Sequence, residues 1–256
     1  MTYALHDSFT LLRRQLVHVK RYPITLFTAG IPVVLLLLFV FVFGDTLGTG
    51  LPGGEGRSSY TNYIAPGILL FTVVGGAQVT AISVAMDMTE GIVARLRTMS
   101  IWRPAVLTSH VLSSLLQTLL SIVAVLLVAL AIGFSPSAGV LEWVAAFALM
   151  GALAFAVTWL SVAMGLVSKS VEAASNLPMF LLLLPFLGSG FVPTDSMPAG
   201  LRWFADHQPF TPINETLRAL LTAAPVDGAD AFAAVAWCAV ITAGGAAWAL
   251  RLYNRR

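Results

Sequence analysis

The side chains in this sequence that could carry out chemistry are few, and their spacing matches no catalytic or metal-binding motif. The single cysteine is Cys238, and the four histidines do not form the HExxH pattern of zinc enzymes. A P-loop needs the sequence Gly-Lys-Ser/Thr, but Lys20 and Lys169 follow Val19 and Ser168. Neither GxSxG nor a pair of aspartates inside an apolar run is present. We therefore expect no catalytic residue, metal site or nucleotide site here, and the chain is predicted not to be an enzyme.

Charge is scarce in the chain but gathers in one short segment, residues 86–103, which reads MDMTEGIVARLRTMSIWR. Asp87 and Glu90 come first and Arg95 and Arg97 follow, an order that favours a short helix with its acids near the positive end of the helix dipole. Apolar residues recur in it at three- and four-residue spacing, at Ile92, Leu96 and Met99. One interpretation is a solvated loop; the other, which the apolar stripe favours, is a helix on which another protein docks.

The composition predicts that most of the chain lies in lipid. Of its 256 residues, 58% are hydrophobic and 10% are charged, and the mean hydropathy is +0.87. A soluble domain carries about a quarter charged residues. We expect one all-α integral membrane domain, residues 1–256, and no cleavable signal peptide. Six runs are long enough to cross a bilayer as helices: 24–43, 63–86, 104–134, 143–167, 173–192 and 231–250.

The distribution of basic residues predicts the orientation in the cell membrane. Lysine and arginine favour the cytoplasmic side, and with both termini cytoplasmic the inner segments hold eleven of the fourteen basic residues. The outer segments then hold only Arg57, Arg202 and Arg218. This orientation places the charged segment in the cytoplasm, between the second and third spans.

The segments outside the spans have predicted roles of their own. Residues 3–20 are amphipathic, which is typical of a helix lying along the inner membrane interface. Residues 44–62 are rich in glycine and polar groups and predict an outer loop. In 193–228 we expect two short helices that dip into the outer leaflet. One covers AGLRWFADH, and the other has Thr211 as its cap and Pro212 as its first residue, with Ile213, Leu217, Leu220 and Leu221 on one face.

Mild polar residues lie inside the predicted spans. Gln78 in span two and Asn176 in span five are candidates for a substrate path, although such residues also form ordinary hydrogen bonds between helices. Small residues recur every four positions in spans four and six and predict close helix packing. They are Ala148, Ala152 and Ala156 in one span, and Ala239, Ala243 and Ala247 in the other.

Two stretches of the sequence resemble a known family. MDMTEGIVARLRTMSIWRPAVLTSHVL is similar to the first cytoplasmic loop of type-2 ABC exporter permeases, especially the daunorubicin-resistance kind, although Ser100 and Trp102 stand where the family often has Pro and a small residue. GFVPTDSMPAGLRWFADHQPFTPINETLRALL is similar to the family's outer segment before the last span. The resemblance implies that the charged segment is a coupling helix on which an ATPase acts. The residues of that surface would be Asp87, Glu90, Gly91, Ile92, Arg95, Leu96, Arg97, Met99 and Arg103.

The resemblance also implies partners and a function. The chain would pair with a second permease copy or paralogue and with two cytoplasmic ABC ATPase subunits, which bind the ATP and Mg²⁺ that this chain cannot bind. The complex would export a small lipophilic drug, antibiotic or lipid through the bilayer, and no nucleic acid is involved. Alternatives that stay open are an exporter of a lipid-linked polysaccharide or envelope lipid and, in another class, a membrane anchor or sensor that transports nothing.

Overall fold

The computed structural model of the protein describes residues 24–51, 56–89 and 105–255. Within these ranges the structure consists of helices and turns without strands, so the predicted all-α class is confirmed. A π-helical turn, Phe39–Phe43, follows the first helix, and a 3₁₀ turn covers Thr194–Ser196. In chain order the α-helices are α1 (Ile24–Leu38), α2 (Gly44–Gly48), α3 (Arg57–Thr89), α4 (Ala105–Ala131), α5 (Val140–Val167), α6 (Val171–Asn176), α7 (Met179–Leu183), α8 (Ala199–His207), α9 (Phe210–Thr222) and α10 (Gly228–Arg255).

Five helical segments of the described chain are long and apolar enough to cross a membrane. They are Ala29–Gly48, Arg57–Thr89, Leu107–Ala131, Val140–Val167 and Gly228–Asn254, and each overlaps one predicted span. The other predicted span, 173–192, contains only the short helices α6 and α7, followed by turns as far as Val192. Pro178 and Pro185 lack the backbone N–H that a continuous helix needs. The count of six crossings therefore stays a prediction.

Helix α3 lies at the centre of the bundle. It is apolar around its whole circumference and most of its residues are buried, as expected for a helix surrounded by others. Small residues bring neighbouring helices close to each other. A Cβ atom added to Gly165 of α5 would lie 2.6 Å from the Ala81 carbonyl oxygen of α3, and one added to Gly245 of α10 would lie 2.7 Å from the Leu160 backbone nitrogen of α5.

The two ends of the bundle are held by different contacts. We call the end with Thr89 and Ala105 the near end, and the end with Arg57 and Gly228 the far end. At the near end, buried apolar residues of α3, α4, α5 and α10 form one cluster. At the far end, the Ser137 backbone N–H donates to the Leu221 carbonyl at 3.1 Å, which ties the α4–α5 turn to α9.

The segment after span five largely agrees with the sequence prediction. Helix α8 covers AGLRWFADH, and Ile213, Leu217 and Leu221 of α9 are fully buried. The predicted start of α9 is wrong, because the helix begins at Phe210 after Pro209. The Thr211 hydroxyl caps no helix and instead donates to the Ala205 carbonyl of α8 at 2.5 Å.

Two predictions on the first third of the chain have different outcomes. The interfacial helix at 3–20 lies outside the described residues. The outer loop at 44–62 is shorter than predicted, because α2 covers Gly44–Gly48 and α3 already begins at Arg57. An ion pair of 2.8 Å between Arg57 and Asp45 joins these two helices across the glycine-rich stretch.

Candidate functional site

The predicted coupling surface lies mostly outside the described residues. Of its nine residues only Asp87 is described; the others are Glu90, Gly91, Ile92, Arg95, Leu96, Arg97, Met99 and Arg103. The structure describes both helices that lead into this segment, α3 up to Thr89 and α4 from Ala105. Segment 90–104 therefore joins the near ends of two helices that pack against each other.

The carboxylate of Asp87 faces the neighbouring helix α4. This carboxylate lies 3.1 Å from Nε2 of His110 on α4, and the two side chains are 17% and 4% exposed. His110 was not among the predicted site residues. The only signal for it in the sequence is its position. His110 is an ionisable residue near the start of the apolar run 104–134, and Asp87 directly follows the preceding run, 63–86.

The structure brings one of the two candidate path residues into contact with the interrupted span. The side-chain amide of Gln78 on α3 donates to the carbonyl of Ser175 at 2.9 Å. This carbonyl lies beside the gap between α6 and α7, where Pro178 has no N–H to donate. Asn176 is the last residue of α6 and is exposed. Gln78 thus contacts the chain next to Asn176.

Side chains of other elements replace hydrogen bonds that the interrupted span does not make within itself. Gln208 donates to the Leu184 carbonyl at 2.9 Å. The Ser189 carbonyl accepts from three side chains: the Tyr63 hydroxyl at 3.0 Å, the Asn214 amide at 3.1 Å and the Arg218 guanidinium at 2.7 Å. Backbone that leaves the helical form inside a membrane needs such partners, because lipid supplies none.

Arg218 connects this carbonyl to the rest of the far end. Its Nη1 lies 2.6 and 2.7 Å from the two carboxylate oxygens of Glu215, and its guanidinium carbon lies 4.0 Å from the centre of the Tyr63 ring. The Arg218 side chain is 16% exposed. One largely buried cation therefore holds α9, α3 and the turn at Ser189 together.

A cavity of about 760 Å³ lies at the far end beside Arg218. Most of the charged groups that line it are acidic: Asp195, Asp206, Glu215 and Asp230. Arg202 forms ion pairs with two of these carboxylates, with distances of 2.6 Å to Asp195 and 3.6 Å to Asp206. The cavity therefore carries mostly acidic charge and lies between α3, the 193–222 segment and the start of α10.

The alanine faces of α5 and α10 are only partly the packing surfaces that the sequence predicted. Ala156 is fully buried, but Ala148, Ala152, Ala239 and Ala243 line an apolar cavity of about 850 Å³ together with Cys238. The two helices approach most closely nearer the other end, at Gly245 and Leu160. The small side chains at the far-end half therefore leave a groove open between the helices.

Among the residues that the structure describes, no group of three or more histidine, cysteine or carboxylate side chains could hold a metal ion. The polar groups of the site are amides, hydroxyls, carbonyls and paired charges. Such groups can bind and guide a molecule or transmit a movement.

Sequence comparisons relate this chain to known membrane transport proteins. The sequence profile of the ABC-2 type transporter family matches residues 7–222. The chain is 27% identical over 210 residues to a daunorubicin resistance ABC transporter permease protein of Streptomyces coeruleorubidus, covering 81% of this chain and 72% of the relative. It is 28% identical over 197 residues to a probable doxorubicin resistance ABC transporter permease protein of Mycobacterium tuberculosis, covering 76% and 70%. This chain belongs to the ABC-2 type transporter family and is a permease of the ABC transporter kind.

Proposed function

We propose that this chain is the membrane subunit of an ATP-driven exporter that moves a small lipophilic compound out of the cell. The observation that carries the proposal is the interruption of span five beside Gln78, because discontinuous spans line the substrate sites of many transporters. The names of the two relatives, which refer to daunorubicin and doxorubicin resistance, favour a drug-like substrate. The competing substrate class is an envelope lipid or lipid-linked polysaccharide.

The energy for export comes from separate subunits in this proposal. Two cytoplasmic ABC ATPase subunits bind ATP and Mg²⁺ and dock on segment 87–103, and a second permease copy or paralogue completes the complex. Both termini lie in the cytoplasm, as the eleven-to-three distribution of basic residues predicts. Support for this docking site comes from its position, since segment 90–104 connects two packed helices, α3 and α4.

The test uses the complex of this chain with its cognate ABC ATPase, reconstituted in proteoliposomes with the ATPase outside. We expect doxorubicin to raise ATP hydrolysis and to accumulate inside the vesicles only with ATP. If an envelope lipid stimulates hydrolysis and doxorubicin does not, the lipid alternative is correct. If the ATPase binds but no compound moves, the chain is an anchor or sensor.

The docking surface is tested with one charged substitution and a matched milder one. Each large apolar side chain that is fully covered contributes about 1.5 to 3 kcal/mol, whereas an exposed ion pair contributes about 0 to 1 kcal/mol. Leu96→Asp should therefore abolish co-purification of the ATPase, and Arg95→Ala should weaken it only slightly. Full transport by Leu96→Asp with the ATPase bound would show that the segment is only a solvated loop.

The path is tested at Gln78. Gln78→Leu removes the donor to the Ser175 carbonyl without adding a charge. We expect a changed KM for doxorubicin-stimulated hydrolysis while the ATPase stays bound. An unchanged KM and unchanged transport would remove Gln78 from the path.

A further inference from the structure

A largely buried ionisable pair lies at the near end of the bundle, next to the segment on which the ATPase is proposed to act. His110 is 4% exposed and Asp87 is 17% exposed, and the distance between His110 Nε2 and Asp87 Oδ2 is 3.1 Å. Asp87 stands two residues before the last residue of α3, and His110 stands in the second turn of α4. Moving such groups out of water is costly, and a pair of this kind often contributes little net stability. Its presence therefore needs another explanation.

The same two helices continue to meet through small and polar residues further into the bundle. The hydroxyls of Thr80 on α3 and Ser114 on α4 are hydrogen bonded to each other. Deeper still, a Cβ atom added to Gly76 would overlap the Thr118 side chain. From Asp87 to Gly76 this seam covers eleven residues, or about 16 Å of helix rise. The two helices thus touch side by side from the near end to the middle of the bundle.

Helix α3 also contacts the interrupted span within the length of this seam. Gln78, which donates to the Ser175 carbonyl at 2.9 Å, stands nine residues before Asp87, about 14 Å away along the helix axis. A displacement of the near end of α3 would therefore reach the gap between α6 and α7 through one rigid helix. A helix transmits such a movement only if the end of the helix next to the moving segment is firmly held.

We propose that Asp87 and His110 are a pair of positioning residues that lock the near ends of α3 and α4 together, so that a push on segment 90–104 moves both helices as one body. The inference rests on the proposed function, since it needs an ATPase acting on that segment. It assigns Asp87 a role different from ATPase contact, because its carboxylate faces His110. Without this pair, the near ends of α3 and α4 would move independently of each other when the ATPase acts. ATP would then be hydrolysed without transport.

The test measures the number of doxorubicin molecules transported per ATP hydrolysed in the reconstituted complex. Asp87→Asn and His110→Gln should each lower this ratio about tenfold, since losing a hydrogen bond to a carboxylate changes a two-state equilibrium by about that factor. The amount of bound ATPase should stay the same, which a contact residue of the docking surface would not allow. Asp45→Asn is the matched control, because Asp45 pairs with Arg57 in an exposed ion pair at the far end; its ratio should stay unchanged.

Two further variants separate positioning from a loss of folding. The exchanged pair, Asp87→His with His110→Asp, should recover most of the ratio, and the double variant Asp87→Asn with His110→Gln should be no worse than either single variant. Additive losses, or an exchanged pair that is folded but uncoupled, would overturn the inference. Loss of ATPase binding in Asp87→Asn, but not in His110→Gln, would also overturn the inference. It would show that Asp87 belongs to the docking surface of the ATPase. If the unsubstituted complex shows no ATP-dependent transport, the proposed function itself has failed.

Discussion

Replacing Arg218 by glutamine should destabilise the protein more than any comparable change at an exposed arginine. The guanidinium group makes two bonds to Glu215, at 2.6 and 2.7 Å, and one to the Ser189 carbonyl at 2.7 Å. It also lies 4.0 Å from the centre of the Tyr63 ring. Glutamine is too short and has no charge, so it can replace none of these contacts fully.

The size of the effect follows from the exposure of the two partners. Removing one member of a fully buried ion pair costs about 3 to 5 kcal/mol, because the other charge is left without a partner. Glu215 is 36% exposed, so part of this cost is recovered when water solvates its carboxylate. A hydrogen bond to a charged group contributes about 1.5 to 3 kcal/mol, and a cation–π contact about 0.5 to 1 kcal/mol. We expect a loss of about 2 to 4 kcal/mol in the free energy of unfolding.

The measurement is reversible unfolding in mixed detergent micelles, followed by circular dichroism. Arg202→Gln serves as the control, because Arg202 is in the same segment, pairs with Asp195 and Asp206, and is 49% exposed. An exposed ion pair contributes about 0 to 1 kcal/mol, so this variant should unfold nearly as the unsubstituted protein does. Equal losses in the two variants would refute the reasoning, since they would show that burial of Arg218 adds nothing.

Three further predictions concern packing, the outer segment and orientation. Gly67→Ala should lower the free energy of unfolding by about 1 to 3 kcal/mol, because the added Cβ would overlap the Gly190 carbonyl. Gly75→Ala is the control and should leave the free energy of unfolding unchanged, because the space around Gly75 is open. Equal unfolding curves for the two variants would contradict this prediction. Leu217→Pro should cost about 3 kcal/mol inside α9 and impair export while the ATPase still co-purifies; loss of the ATPase would contradict it. A cysteine at Gly54 should react with a membrane-impermeant reagent from outside and one at Thr98 should not; the reverse result would invert the orientation.

Most of the helices could be predicted because their signals are local. Run length alone predicts the five long helices, since a membrane requires about 20 apolar residues whatever their neighbours are. Helix α8 begins directly after Pro198, and its bounds agree with the prediction. The start of α9 was mistaken because the Thr211 hydroxyl, which could cap a helix, bonds instead to the Ala205 carbonyl across the turn. A tertiary contact thus overrides the local preference of threonine.

The interruption of span five could not be predicted from apolar run length. Residues 173–192 are hydrophobic enough for a continuous helix, and prolines are tolerated in many membrane helices. The alternative conformation is stabilised by donors that are distant in sequence, such as Tyr63 and Asn214 at the Ser189 carbonyl. In the candidate site, Gln78 could be singled out because an amide in an apolar run is unusual, and its role in a substrate path stays a prediction. His110 was missed because its contact with Asp87 is visible only once α3 and α4 are packed against each other.

The Ser189 carbonyl has more donors than it has lone pairs. A carbonyl oxygen offers two lone pairs, and three side chains approach it, from Tyr63, Asn214 and Arg218. Losing either neutral donor would still leave both lone pairs engaged, whereas losing the arginine also leaves a carboxylate without its partner. The hydrogen bonding of this turn is thus buffered against the loss of the Tyr63 hydroxyl or the Asn214 amide. The backbone of the interrupted span can therefore keep its conformation when one of these two donors is lost, although Asn214 is 1% exposed and the Tyr63 ring also contacts Arg218.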